Sequence, residues 1–414
     1  MTLREAHAHL FQHGRAMRMV RLDTCRDLHD ALDALRQAPT GDAWILGVGM
    51  RMESWPERRY PTLDELDLAS PDRPCALWSF DHHALLANSR ALAAAGISGE
   101  TPDPPAGRII RDRGRPTGLL LESAAKLLWE RVPEPGHAFR LDMIEHAARD
   151  LLALGFEEVH DLLSPIWLGH ALSELDSRRR LPIRVRLHPR VEHLREVAAS
   201  AQEWTSSHVE LAGGKVFADG TLNSRTAAML HPYADPIPDL PRGQPMLSAD
   251  QLCEAMALTR AMGLDLAVHA IGDAAVRTAL EAWSSLGPPP ARARLRVEHA
   301  ELIDAEDVPR LARDTSVIVS VQPCHLLADI EALRRGLPHR LDRVLPLRDL
   351  IDAGCAPGER LWFGSDVPIV RADPADSLLA AVKRRRKGMD AADAVAPSQA
   401  ISEAEAWACF AGAG

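Results

Sequence analysis

No apolar run in the chain approaches the roughly 18 residues that a membrane-spanning helix needs, so no membrane partner is expected. The first residues, Met1-Thr-Leu-Arg-Glu-Ala-His7, lack the apolar core of a secretory signal peptide. A cytoplasmic protein is the expectation. The six cysteines (25, 75, 253, 324, 355 and 409) show no CxxC spacing. That excludes a zinc ribbon and a disulfide framework, and it fits a reducing compartment. Basic charge is not in excess either: 48 Lys and Arg stand against 58 Asp and Glu, a net charge of −10. A nucleic-acid binder usually shows a basic footprint, so none is expected as a partner. The basic runs Arg178 to Arg180 and Lys383 to Lys387 fall near predicted helix C-termini, where the helix dipole favours cations. They read as solvated helix ends. Three motifs are also missing. There is no GxGxxG at a strand-to-helix turn, no GxxxxGK[ST] loop and no GxSxG elbow. A dinucleotide fold, a P-loop and a serine nucleophile lose their support with them.

What is present is a rhythm. From Phe139 onward, apolar strands alternate with amphipathic helices at least seven times, and the strand before His9 makes an eighth. That alternation predicts a parallel α/β architecture, most simply a (β/α)8 TIM-like barrel. In 414 residues one large domain over 1–414 is expected, with an inserted subdomain at about 44–138. The inserted stretch is rich in Pro and Gly and lacks regular alternation, apart from short strands near Cys75 to Phe80 and Gly118 to Leu121.

Several predicted strands end on a polar side chain. In chain order these are His7 and His9, His160 and Asp161, His188, Lys215, His269, His299, His325 and Asp366. A barrel gathers such ends at one mouth. Residues i and i+2 of a strand share a face, so His7 and His9 suit a single divalent cation. Each residue also has a plainer reading. His269 could be a core histidine on a backbone carbonyl. Asp366 could be a turn residue in Gly364-Ser-Asp-Val-Pro368. Lys215 could pair with Asp219. It could equally lose its proton on burial, or take up carbon dioxide as a carbamate that bridges two metals.

Taken together the motifs resemble the amidohydrolase superfamily, and within it the metal-dependent group that includes N-substituted formamide deformylases. The stretches that carry the resemblance run the length of the chain. They are Ala6-His-Ala-His-Leu10, Trp44-Ile-Leu-Gly47, Glu53-Ser-Trp-Pro56, Asp81-His-His83, Lys215-Val-Phe-Ala-Asp-Gly220 with Ser224-Arg-Thr226, His269-Ala-Ile-Gly-Asp273, Glu298-His-Ala300 and Gly364-Ser-Asp366. The resemblance implies that His7 and His9 hold one metal and that His269 and His299 hold the second. It makes Lys215 the carbamylated bridge and Asp366 the shared ligand and proton shuttle. His83, Arg225 and His325 would face a small-molecule substrate. It implies one or two divalent ions, zinc first, and hydrolysis of an amide or N-substituted formamide C–N bond by metal-activated water. The family's small β-sandwich is expected to be largely missing, because the chain starts six residues before His7 and stops at Gly414. That leaves two rivals. One is a degenerate or truncated barrel without activity. The other is an esterase or phosphoesterase built on the same metal centre. A homo-oligomer stays open, since a second copy could cover barrel surface that the sandwich otherwise would.

Overall fold

The computed structural model describes residues 2–39, 43–52, 55–80, 82, 84–105, 107–237 and 239–412. They form two compact units, residues 1–13 with 141–414, and residues 14–140.

The first unit opens with strand β1 (Leu3–Ala8). The second unit carries β2 (Val20–Arg21), β3 (Ile45–Met50), β4 (Cys75–Ser79), β5 (Ala84–Ala87), β6 (Gly107–Asp112) and β7 (Arg115–Glu122). These make one mixed sheet in the order β2-β3-β4-β5-β7-β6. The β6–β7 hairpin turns at Arg113 and Gly114, both with positive φ (47° and 78°), as a two-residue hairpin turn requires. The sheet is more extensive than the short strands Trp44 to Gly49, Cys75 to Phe80 and Gly118 to Leu121 expected from the sequence. Alternation had failed there because β4 and β5 are buried along their whole length.

The chain then returns to the first unit through β8 (Phe156–Ser164), β9 (Arg184–Pro189), β10 (Val209–Leu211), β11 (Gly213–Phe217), β12 (Asp265–Ala270), β13 (Leu295–His299), β14 (Val317–Val321) and β15 (Leu361–Phe363). All pairings are parallel, in the orders β1-β8-β9-β10 and β11-β12-β13-β14-β15. β10 and β11 are separated only by Ala212. Its N–H donates to Leu187 O (3.0 Å), and its carbonyl accepts from Asp265 N (3.0 Å). At the other edges, Asp366 N donates to His7 O (2.7 Å) and His9 N to Val367 O (2.9 Å). Each of these main-chain bonds involves a residue just outside the named strands.

Strands β12, β13 and β14 are buried at every position; β12 and β14 read as largely apolar runs, while β13 buries Arg296, Glu298 and His299. The helix Asp273–Ser285 covers them with Ala275, Val276, Ala279, Leu280 and Trp283, an i, i+3, i+4 stripe. The helix Ala249–Ala261 starts at a capping box, with Ser248 Oγ accepting from Gln251 N (3.2 Å). One basic run departs from expectation. Arg384, just past the helix Pro374–Lys383, is fully buried and donates to the carbonyls of Val344 and Val395. It ties down the chain that follows the helix instead of facing solvent. No helix among the described residues is long and apolar enough to cross a membrane.

Candidate metal centre

The main-chain pairing of β1 with the segment after β15 sets the first part of the site. It lays Gly364-Ser365-Asp366 against His7. A Cβ at position 364 would stand 2.5 Å from His7 N, so only glycine permits this approach. Asp366 Oδ1 then lies 3.3 Å from His7 Nε2 and 2.8 Å from His9 Nε2. The His299 ring is 4.8 Å from His7, and the His269 ring is 4.4 Å from His299, centroid to centroid. Asp366 (φ 65°) and His299 (φ 69°) both hold left-handed backbone, a strain that tends to collect at functional sites.

The donors and acceptors at this point do not balance among themselves. His9 Nδ1 is bonded to the Leu162 carbonyl, which can only accept. His7 Nδ1 lies 2.8 Å from Glu298 Oε2. Both protons are thus placed on Nδ1, and both Nε2 lone pairs are turned toward Asp366 Oδ1. Acceptor faces acceptor, so a cation or a proton has to sit among them. His7, His299 and Asp366 each offer a ligand atom within 4.8 Å of the others, and all three are buried. This donor set, two or three imidazoles with one carboxylate, is the kind that divalent zinc takes.

Electrostatics point the same way. Burial and the neighbouring Lys215 push His7 well below the usual imidazole range, which keeps it neutral. Burial works against ionising Asp366, but positive charge held among the His7 and His9 Nε2 atoms beside it outweighs that cost. The carboxyl stays well below its usual range. Lys215 is 1% exposed, and its Nζ has no hydrogen-bond partner among the described residues. Burial lowers it to about 8, with Glu298 and Asp366 pulling the other way.

Asp219 is not the partner of Lys215. It accepts from Ala228 N (2.9 Å), Ile271 N (3.0 Å) and Gly272 N (2.9 Å), and so shapes the turn that follows His269. His269 Nε2 lies 3.1 Å from Gly220 O, the backbone contact foreseen for a core histidine, yet its ring also sits against His299. His325 reaches the same place. Its Nε2 is 3.2 Å from Ser365 O and 3.9 Å from Asp366 Oδ2, and its Nδ1 is 3.6 Å from Glu301. Burial opposes its charge, but Glu301 and Asp366 raise it to about 9. Arg225 makes a two-pronged ion pair with Asp235 (2.7 and 2.8 Å) and donates to Leu222 O, so most of its donors are used within its own loop. His83 lies outside the described residues. His160 and His188 do not join the centre; both bond Arg296 instead. From the sequence, Glu298 stood out only as part of the Glu298-His-Ala300 motif with no role of its own, and Glu301 and Arg296 did not stand out. Their one signal was position, since Arg296, Glu298 and His299 lie on one short strand.

The chain is similar to several known proteins. The model of a family described as the amidohydrolase family matches residues 3–412. YtcJ of Bacillus subtilis (strain 168) is 31% identical over 400 residues, covering 92% of this chain and 72% of that protein. An N-substituted formamide deformylase from Arthrobacter pascens is 27% identical over 387 residues, covering 90% and 69%. The crystal structure of an uncharacterized metal-dependent hydrolase from Pyrococcus horikoshii OT3 superposes with a TM-score of 0.80 at 26% identity, covering 98% of this chain and 78% of that one.

Proposed function

Because the chain belongs to the amidohydrolase family, and is on that ground a hydrolase, we propose that it cleaves a non-peptide C–N bond of a small molecule, an amide or an N-substituted formamide. In this reading the two parallel sheets are arcs of one closed (β/α)8 barrel. One observation carries the reading: the Nε2 lone pairs of His7 and His9 converge on the ionised Asp366, beside buried His299.

A divalent cation, zinc by preference, would be held by His7, His9 and Asp366, with His269 and His299 toward a second ion; bound there, it polarises a carbonyl and lowers the pKa of water. The chain's own groups supply the rest. Asp366 is ionised and can take a proton from water at a carboxylate oxygen, then hand it to the leaving nitrogen. Lys215, lowered to about 8, reaches the free amine far more readily than an exposed lysine and can react in that form. Its Nζ adds to the carbon of carbon dioxide and loses one proton, leaving an anionic carbamate that would balance the positive charge of two ions. His325, cationic below about pH 9, is placed to orient a substrate oxygen next to Asp366. Burial of Asp366, Lys215 and His325 limits bulk water at the reacting atoms.

The test is elemental analysis of chain purified without chelator, followed by a panel of amides, N-substituted formamides, esters and phosphoesters. One to two equivalents of metal, reduced in His7→Ala, with turnover confined to the amides and formamides, is the expected result. A wild-type chain still metal-free after zinc and bicarbonate are supplied would overturn the proposal. Turnover of phosphoesters alone would replace the bond class.

A further inference from the structure

Next to the metal centre lies a buried charge cluster that the proposed hydrolysis does not use. Its hub is Arg296, which is 0% exposed. Its Nη1 donates to His160 Nδ1 (2.8 Å) and faces His188 Nε2 (3.2 Å). Its Nη2 donates to Ala6 O (2.7 Å) and stands 2.8 Å from Glu298 Oε1. A guanidinium has no acceptor and keeps its proton. Both imidazole nitrogens that face it must therefore be acceptors. The remaining contacts agree. His160 can then donate from Nε2 to Glu158 Oε1 (3.0 Å), and His188 from Nδ1 toward Arg186 O (3.3 Å). Burial and the charge of Arg296 hold both imidazoles neutral.

The same logic runs outward to the metal centre. Glu298 rests one oxygen on Arg296 and turns the other to His7 Nδ1 at 2.8 Å. Paired with a guanidinium, it is a carboxylate and can only accept. His7 must then carry its proton on Nδ1, which leaves the Nε2 lone pair pointing at Asp366. Gln322 Nε2 lies 3.2 Å from the same Nδ1 and could donate to it only in the opposite tautomer. The nearer, charged acceptor decides against that.

We propose that Arg296 is a positioning residue for metal capture: through Glu298 it locks His7 as the Nδ1–H tautomer, with Nε2 free for a cation. The proposal rests on the metal-dependent reading above, and second-shell partners of this kind commonly set ligand orientation. Glu298→Gln tests it sharply. Arg296 is the stronger donor and will claim the amide oxygen. The amide NH2 then faces His7 Nδ1, and His7 has to move its proton to Nε2. Removing Arg296 as well, in Glu298→Gln/Arg296→Met, frees the amide to turn its oxygen to His7 and restores the original tautomer.

The experiment reads histidine tautomers by long-range 1H–15N correlation on metal-free chain labelled with 15N-histidine, alongside zinc titration against a chromophoric chelator. Expected are Nδ1–H for His7 in the wild type, Nε2–H in Glu298→Gln with a ten- to hundredfold loss of zinc affinity, and partial recovery of both in the double variant. A general loss of structure would not be repaired by a second substitution. If the double variant does not fold, the Glu298→Gln spectrum alone decides. Zinc binding with His7 still Nδ1–H in Glu298→Gln would overturn the role of Arg296. A wild type that takes up no zinc would overturn the metal reading itself.

Discussion

Replacing Lys215 with methionine should stabilise the metal-free chain while destroying its capacity for metal. The side chain is fully buried, with Nζ unpartnered by any hydrogen bond among the described residues, and burial lowers its pKa to about 8. The gap from the ordinary 10.5 is about 2.5, and at 1.36 kcal/mol for each step this amounts to about 3 kcal/mol. The sign follows from linkage. Below about pH 8 both folded and unfolded chains carry the ammonium, and the folded chain bears the full cost of burying it. Between about 8 and 10.5 the unfolded chain binds more protons, so stability rises with pH. Above 10.5 both states are neutral and the cost is gone. Methionine has similar length and no charge. At pH 7 the chelator-treated Lys215→Met chain should therefore unfold about 3–5 °C higher than the wild type. The advantage should vanish by about pH 10.5. Zinc and bicarbonate should reverse the order, because binding stabilises only the chain that can bind. Thermal unfolding in carbon-dioxide-free buffer, with and without metal, reads all of this. A Lys215→Met chain that is less stable at pH 7, or whose advantage does not shrink with rising pH, would refute the reasoning.

Asp366→Asn keeps the shape but removes the proton acceptor and one ligand oxygen; turnover should fall about 10²–10⁴-fold and metal content should drop in the same preparations. His325 gives the opposite pH trend to Lys215. Its pKa is raised from 6.5 to about 9 against the opposition of burial, so its contribution of about 3 kcal/mol is complete below about pH 6.5 and is lost as pH rises through 9. The stability difference between metal-free wild type and His325→Gln should therefore be largest near pH 6 and absent above 9. Arg340 pairs with Asp273, which is fully buried at the start of the helix after His269 and also accepts from Leu230 N. Arg340→Ala leaves that charge without its partner, and denaturant unfolding should show a loss of about 3–5 kcal/mol. Gly272→Ala would put a Cβ 2.0 Å from Ala228 O, so it should cost about 1–3 kcal/mol and lower zinc affinity by shifting the turn after His269.

The strand–helix alternation after Phe139 and the polar residues at the strand ends were legible because they rest on patterns that local sequence expresses. An all-apolar run such as Leu266 to Val268 followed by one histidine can be read without coordinates. So can HxH, where two side chains on one strand face share a ligand. The second unit was read less well. A buried hairpin such as Cys75–Ser79 with Ala84–Ala87 has no polar face to give alternation.

Buried charge was the hardest feature to read, for a physical reason. Arg4, Glu5, Glu158, Arg296 and Glu298 sit in strands where a charged residue ordinarily marks the solvent face. Arg4 and Glu5 are charged residues inside β1. In the structure Arg4 stacks 3.9 Å over the Trp362 ring, and Glu5 accepts from His7 N and Ser365 N. Beside local partners such as Arg296 with Glu298, several of these charges are met from a different strand: Arg296 and Glu298 of β13 by Ala6 and His7 of β1, and Arg296 by His160 of β8. Those partners are separated by 136 to 291 positions. No window of local sequence contains both halves of such a pair. The compensation that makes a charge structural exists only once the strands have been laid side by side. In this chain those same compensating pairs are what orient His7, so the part of the site least visible in the sequence is the part that sets how its most visible motif can work.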